Sequence, residues 1–408
     1  LKQKRSNPKN HPTIGKRRNK SLRSCYHAFF CEILRALKPG SKGKASCAGS
    51  NAGEFLMPER IRAALLGATG AVGQRYLAML ASHPFIELTV LMGGESAGKK
   101  YSDAVQWLQP EPIPEEFRRM VVRKPLPESA KGCDIVFSAL PSEVAKETEP
   151  RFAKAGFNVI SEASAYRMNE HVPLLIPEVN PEHLQLLATQ KKEGWKGGLV
   201  TTPNCTVTGL AMVLKPLMER FQVTKAVVTT MQAISGAGYP GVASLLITEN
   251  VIPYIKDEED KVKREARKIL GKFEKDRITE RELRMAVSCN RVPVIDGHTE
   301  TLYLEFAHKI LVAEAERVLA GFRGEPQKLK LPTAPKDPII VKREADRPQP
   351  RLDRMAGSIP GMSVVVGRLR EGVDDYSLQL TLLSHNTIRG AAGTAILSAE
   401  LMHEKDYV

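Results

Sequence analysis

A chain of 408 residues, 42% of them apolar, has material for two or more domains with proper cores. Its formal net charge of +14 is uneven: residues 1–56 hold 13 Lys or Arg against 2 acidic residues, leaving +3 for the remainder. That distribution argues against a phosphate-tracking surface on the body, and no apolar run is long enough to span a bilayer.

Residues 1–56 are basic, poor in acids, and close on the Gly/Ser/Ala-rich stretch KPGSKGKASCAGSNAGEF. We read them as a disordered extension, a transit peptide or an unprocessed or mistranslated leader, with Met57 as the natural start. Three cysteines lie there; the body keeps Cys133, Cys205 and Cys289, without paired or metal-ligand spacing. This argues against a disulfide framework or a metal site and favours a reducing, cytoplasmic setting.

The body opens with RIRAALLGATGAVGQRYLAMLASHPFIELTVLMGG. An apolar strand over 61–66 runs into a glycine turn, an amphipathic helix, and a second strand over 86–92. This is a βαβ unit. Gly67, Gly70 and Gly73, with Thr69, Ala71 and Val72 between and beside them, form a G-x-x-G-x-x-G variant of the dinucleotide fingerprint. Glycines there permit a tight turn and let a pyrophosphate reach the amides at the helix N-terminus; an ordinary tight turn is the plainer alternative. No acid sits directly at the end of LTVLM to hold a ribose hydroxyl. Ser96, Lys99 and Lys100 in GGESAGKK suit a 2′-phosphate, whereas Glu95 would suit a plain ribose, so NADP is the expected cofactor.

Alternation continues through CDIVFSALP (strand), 143–155 (helix), NVISEAS (strand), PEHLQLLATQKKE (helix) and GGLVTTP (strand). Pieces of this size predict a doubly wound, mostly parallel sheet. In TTPNCTVTGLAMVLKPLMERF, residues 201–221, Leu210, Val213, Leu214, Leu217, Met218 and Phe221 recur at helical spacing, and Cys205 opens the helix. A free cysteine is most often a small buried hydrophobe. At a helix mouth, however, the dipole and free amides favour a thiolate, lowering its pKa, and can hold an oxyanion formed at a carbonyl it attacks. Pro216 predicts a kink or early end of this helix.

Beyond it come long β-rich runs, QVTKAVVTTMQAIS, AVSCNRVPVIDGHTETLYLEF, GMSVVVGRLR and DYSLQLTLLSHN, with helices near 258–270 and 312–321. They predict a second, α+β domain with a mixed or antiparallel sheet. Residues 325–351, rich in proline and charge, read as a surface loop. NTIRGAAGTAILSAELM reads as a helix whose Gly390 and Gly393 point to close approach of another backbone or a ligand. His298 sits beside a glycine between two strand-like runs, a placement for a presented side chain. Arg291 lies seven residues earlier, where its guanidinium can clamp a carboxylate.

GATGAVG, PNCTVTG, QAISGAG, RVPVIDGHTE and NTIRGAAGTA, in this order, closely resemble aspartate-semialdehyde dehydrogenase, in its archaeal and fungal branch, from about residue 60 to the C-terminus. The resemblance implies a Rossmann-type nucleotide domain over 57–203 and 386–408 and an α+β catalytic and dimerisation domain over 204–385. It implies Cys205 as nucleophile and His298 as general acid/base. Gln232 and Arg291 would orient the substrate, with Arg291 on its α-carboxylate. Glu265 and Lys268 would contact the amino group and phosphate, although three residues apart on one helix face they also suit an exposed ion pair. Ser235, Gly236 and Asn386 would face the nicotinamide half. Glu162 stands where the family pattern leads us to expect Asn, and the family's further phosphate-binding arginine is not located in the sequence. The implied reaction is NADPH-dependent reductive dephosphorylation of L-aspartyl-4-phosphate, a step towards lysine, threonine and methionine, by a homodimer or homotetramer with no nucleic-acid or membrane partner. A malonyl-CoA reductase of similar sequence and a non-catalytic nucleotide sensor are the alternative readings.

Overall fold

The computed structural model describes residues 60–408; the readings made above for residues 1–56 and for Met57 lie outside them. Five strands, β1 (Ile61–Leu66), β2 (Ile86–Met92), β3 (Ile135–Ser138), β4 (Asn158–Ser161) and β5 (Gly198–Thr201), form a parallel sheet in the order β2-β1-β3-β4-β5. β3, β4 and β5 are buried along nearly their whole length, as strands covered on both faces must be, which is why they read as unbroken apolar runs. The carboxyl ends of β1, β4 and β5 lead into the Gly67 turn, Glu162 and the Pro203–Asn204 bend. That edge is where such sheets bind ligands.

A ribbon of β7 (Lys272–Glu274) and β8 (Arg277–Thr279) stands apart from a six-stranded mixed sheet. The larger sheet comprises β6 (Val223–Gln232), β9 (Arg284–Arg291), β10 (His298–Phe306), β11 (Ile339–Val341), β12 (Val364–Glu371) and β13 (Ser377–Ser384), in the order β11-β12-β13-β10-β6-β9. The chain is thus α/β, with a Rossmann-type parallel sheet and a second α+β region, as expected. Residues 325–351 depart from the loop expectation: Ile339–Val341 pair in parallel with Val364–Val366 and extend the sheet. The β-branched run Ile339, Ile340, Val341 outweighs its proline-rich surroundings.

The helix Cys205–Arg220 packs on this sheet, with Leu210, Leu214 and Leu217 in the same core as Val228, Leu302, Leu304, Leu380 and Leu382. It runs through Pro216 to Arg220 without the early end expected. Burying those three leucines contributes about 5–9 kcal/mol, against about 3 kcal/mol for an interior proline. The packing wins. At the C-terminus a π-helical turn, Ile388–Ala392, precedes the helix Gly393–Glu404, which is buried on nearly every side and packs with the parallel sheet. A Cβ at Gly390 would stand 2.7 Å from the Cβ of Cys205, so the close approach inferred from this glycine is real, and the neighbour is Cys205.

Candidate active site

Cys205 opens its helix behind Asn204, whose Oδ1 accepts hydrogen bonds from the amides of Thr206 (2.9 Å) and Val207 (3.4 Å). Such a cap contributes about 0.5–2 kcal/mol and fixes the first turn. Asn204 is held in turn: its amide donates to Glu265 at 2.6 Å and its Nδ2 to Glu258 at 2.9 Å. The thiol lies where a short, rigid bend leaves β5.

His298 is delivered from across the sheet as the first residue of β10, and its Nε2 stands 3.1 Å from the Cys205 sulfur. The Ala233 amide donates to its Nδ1 at 3.1 Å. A neutral imidazole carries one N–H, so its proton sits on Nε2 and faces Sγ. Burial, followed by Arg291 and His385, pushes the His298 pKa down to about 3. Burial also pushes the Cys205 thiol up to about 12, with Glu258 adding to the rise and Arg167, Arg291 and the Thr206 amide opposing it. The helix mouth therefore does not produce the lowered thiol pKa expected from sequence. A helix N-terminus supplies about 0.3–1 kcal/mol, and the loss of water around the half-buried Cys205 thiol exceeds it. The resting pair is a neutral thiol beside a neutral imidazole.

β6 and β9 run side by side in parallel, with Gln232 in register with Arg291. Both are buried; Gln232 Nε2 donates to Thr230 and Arg291 Nη1 to the Ala233 carbonyl at 2.7 Å. Gly236 follows in the turn after β6. A Cβ at this position would stand 2.8 Å from Arg291 Nη1 and 3.2 Å from His298 Nε2, so the absent side chain leaves the front of both groups open. Asn386 joins the same turn, donating to Ser235 Oγ and accepting from the Gly297 amide, each at 2.8 Å. Cys205, His298, Arg291, Ser235, Gly236 and Asn386 are thereby brought together.

Glu265 and Lys268 are both buried, so the exposed ion pair allowed by their spacing does not form. Glu265 instead pairs with Arg167 at 3.1 Å. Lys268 Nζ donates to the carbonyls of Arg167, Asn169 and Val172 at 2.6–2.8 Å, and burial lowers its pKa to about 8. It pins the loop that carries Arg167. Arg167 was missed by the sequence reading; its charge is felt at Cys205, its Nη2 donates to the Glu162 carbonyl, and its buried Nε has no protein partner. The one available signal was its place in the SEASAYRM segment just past β4. Glu162 is half-buried, accepting from Tyr76 and Thr202 at 2.7 and 2.6 Å.

At the other end of the cleft, Gly67 turns with φ +76°, and a Cβ there would strike the Ala139 carbonyl oxygen at 2.6 Å. The helix Ala71–Leu80 begins at once: its first turn holds Ala71, Val72 and Gly73, ahead of the Gln74-to-Gly70 hydrogen bond. Beside the turn, Thr69, Gly94, Glu95, Ser96, Lys99 and Ala104 line a cavity of about 370 Å³. A dinucleotide would find amides for a pyrophosphate here, with Glu95, Ser96 and Lys99 lining the adjoining cavity. Lys100 does not line that cavity. Among the described residues no helix is long and apolar enough to cross a membrane.

Residues 62–187 match the family model described as the NAD-binding domain of semialdehyde dehydrogenase, and residues 214–389 match its dimerisation domain. An aspartate-semialdehyde dehydrogenase of Archaeoglobus fulgidus is 52% identical, covering 84% of this chain and 98% of that protein. The malonyl CoA reductase (NADP) of Metallosphaera sedula is 43% identical over 86% of this chain and 99% of its own. The solved aspartate semialdehyde dehydrogenase of Candida albicans with NADP superposes with a TM-score of 0.79 at 41% identity, covering 85% of this chain and all of that one. The chain belongs to the semialdehyde dehydrogenase family, in the branch that holds the archaeal and fungal aspartate-semialdehyde dehydrogenases.

Proposed function

We propose that the protein catalyses the NADPH-dependent reductive dephosphorylation of L-aspartyl-4-phosphate to aspartate 4-semialdehyde, the step that leads towards lysine, threonine and methionine. One observation carries this reading. A thiol at a capped helix start lies 3.1 Å from an imidazole N–H, with two buried arginines, Arg167 and Arg291, acting on it. Acyl transfer from a phosphorylated dicarboxylic amino acid needs a nucleophile and cations for a carboxylate and a phosphate. Sulfur bonds to the acyl carbon, the carbon–oxygen bond to phosphate breaks, and the thiol's proton leaves with phosphate. No separate base is consumed. His298 Nε2–H holds the oxyanion and then the sulfur, and guides a proton taken up from solvent to the sulfur when the carbon–sulfur bond breaks and the thiol is restored. Arg291, beside Gln232, holds the α-carboxylate; Arg167 faces the phosphate, with Glu265 and Lys268 fixing it in place. NADPH would supply the hydride, bound at Gly67–Gly73 and Ser96 with its nicotinamide towards Ser235, Gly236 and Asn386. The nucleotide domain on this reading is 57–203 with 386–408, and 204–385 forms the catalytic and dimerisation domain of a cytoplasmic homo-oligomer.

The malonyl-CoA reductase among the relatives favours a second reading, because Cys205 and His298 serve a thioester substrate equally well. A coupled assay decides, comparing aspartate semialdehyde plus phosphate with malonyl-CoA, each with NADP(H) and NAD(H). Phosphate-dependent NADP reduction, abolished by Cys205→Ala with NADPH binding kept, is the expected result. Turnover of malonyl-CoA alone would replace the reading, and substantial turnover by Cys205→Ala would exclude covalent catalysis.

A further inference from the structure

The loop Val292–Gly297 ends at His298, so whatever fixes that loop fixes the imidazole. On its inner side it is zipped to the turn after β6, through Ile234 N to Val294 O (2.7 Å) and Ser235 N to Ile295 O (3.1 Å). Its other anchor comes from the nucleotide-binding half. Arg75, on the helix that begins at the glycine turn, donates from Nη2 to Asp296 Oδ2 and from Nε to Thr387 Oγ1, both at 3.0 Å. Asp296 stands two residues before His298, and Thr387 follows Asn386, which bridges Gly297 and Ser235. One guanidinium thus fastens the glycine-turn helix, the His298 loop and the start of the C-terminal segment. Both members of the Arg75–Asp296 pair are largely shielded, with side-chain exposures of 14%, so the contact is neither freely solvated nor sealed.

We propose that Arg75 is a positioning residue, a latch through which the dinucleotide-binding helix sets the placement of His298 against Cys205; this rests on the catalytic reading above. The geometry separates the latch from cofactor binding. Two of the arginine's donors are spent on Asp296 and Thr387, and neither acceptor belongs to the glycine turn. A planar fork making two bonds at fixed angles is suited to this, and an ammonium can replace only part of it.

The test uses the full chain carrying Arg75→Met, Arg75→Lys, Asp296→Asn or Arg75→Met with Asp296→Asn, and Arg60→Met as a control at an exposed pair. With whichever acyl substrate the wild type turns over, Arg75→Met should lower kcat by about 10–100-fold, the usual cost of misplacing a catalytic group by about an ångström. NADPH affinity, read by fluorescence titration, should stay within a few-fold. Arg75→Lys should recover part of the loss, and the double variant should be no worse than the worse single one, since both remove the same contact. A second readout needs no substrate: iodoacetamide labelling of Cys205, which depends on the Nε2–H to sulfur contact, should change alike in Arg75→Met and Asp296→Asn and not in the control. If the wild type turns over neither acyl substrate, the functional reading fails while the labelling still decides the latch. Unchanged kcat and labelling overturn the proposal. So does a loss of NADPH affinity that matches the loss of kcat with labelling unchanged, which would make Arg75 a cofactor contact. Should Arg75→Met not fold, Arg75→Lys and Asp296→Asn carry the test.

Discussion

If burial holds the Cys205 thiol near 12, then its reactivity without substrate is slow and keeps climbing with pH. At pH about 7.5 a thiol of ordinary value 9 is about 3% ionised, whereas one at about 12 is ionised about three parts in 10⁵. The thousandfold deficit is partly offset, because a more basic thiolate is a better nucleophile. With a Brønsted coefficient of about 0.4–0.5 the gain is about 15–30-fold, leaving Cys205 about 30–70-fold slower than an ordinary cysteine. Iodoacetamide labelling, followed on the Cys205 peptide by mass spectrometry, measures this directly. The rate should rise tenfold per pH unit from about 6 to about 10 with no plateau.

A single substitution probes the cause. Glu258 is the largest charge effect raising the thiol, and Glu258→Gln keeps an acceptor for Asn204 Nδ2 while removing the negative charge. Labelling of Cys205 should become faster at every pH in that variant. A plateau below pH about 8 in the wild type would show a resting thiolate and refute the burial argument. Slower or unchanged labelling in Glu258→Gln would refute the assignment of the charge effect.

Two further outcomes follow from the same site. His298→Asn should lower kcat by about 10²–10⁴-fold, whereas Arg291→Lys should chiefly raise KM for aspartate semialdehyde, by the about 1.5–3 kcal/mol of a charge-assisted pair; equal effects of the two variants on both constants would overturn the division of roles. The third concerns stability. Glu149 is buried under Ser138 and Ser161, with Glu162 and Arg167 nearby, and burial raises its carboxyl from 4.5 to about 7. A raised folded value means that the stability is full below the unfolded value and is lost as pH rises through about 7, at about 1.4 kcal/mol per pH unit and about 3 kcal/mol in all. Glu149→Gln, which keeps the acceptor for both serines, should therefore melt higher than the wild type at pH about 8.5, the gap closing at pH about 4; parallel melting-pH curves would refute this.

What the sequence made legible was local. The glycine turn between β1 and its helix, and the Asn204–Cys205 start, declare themselves within a few residues because turn chemistry and capping act between neighbours. His298 and Arg291 stood out by turn placement and spacing, their roles came through resemblance, and the fold sets His298 Nε2 3.1 Å from the Cys205 sulfur. What stayed hidden joins residues far apart in the chain. Arg167 reaches Glu265 across 98 positions, Asn204 reaches Glu258 across 54, and Arg75 reaches Asp296 across 221. The i,i+3 spacing of Glu265 and Lys268 correctly put them on one face, yet gave no hint that each turns to a separate buried partner. Spacing specifies direction on a helix and is silent about what stands opposite.

The same limit explains the one reversal of sign. A helix N-terminus was a sound reason to expect an acidified thiol, and Arg167 and Arg291 pull the same way. Desolvation depends on how completely the surrounding elements close over the sulfur, a property of the whole fold, and here it is the largest effect. The consequence is functional. A half-buried thiol kept neutral resists adventitious alkylation and oxidation, because both proceed through the thiolate. An acyl phosphate accepts the thiol's proton as its phosphate departs, so ionisation need not precede attack. On the proposed reaction Arg167 and Arg291, which do not suffice to ionise the thiol, would meet the substrate's own negative charge. On this reading the site is organised for the charge that develops during reaction, and its resting neutrality is part of that organisation.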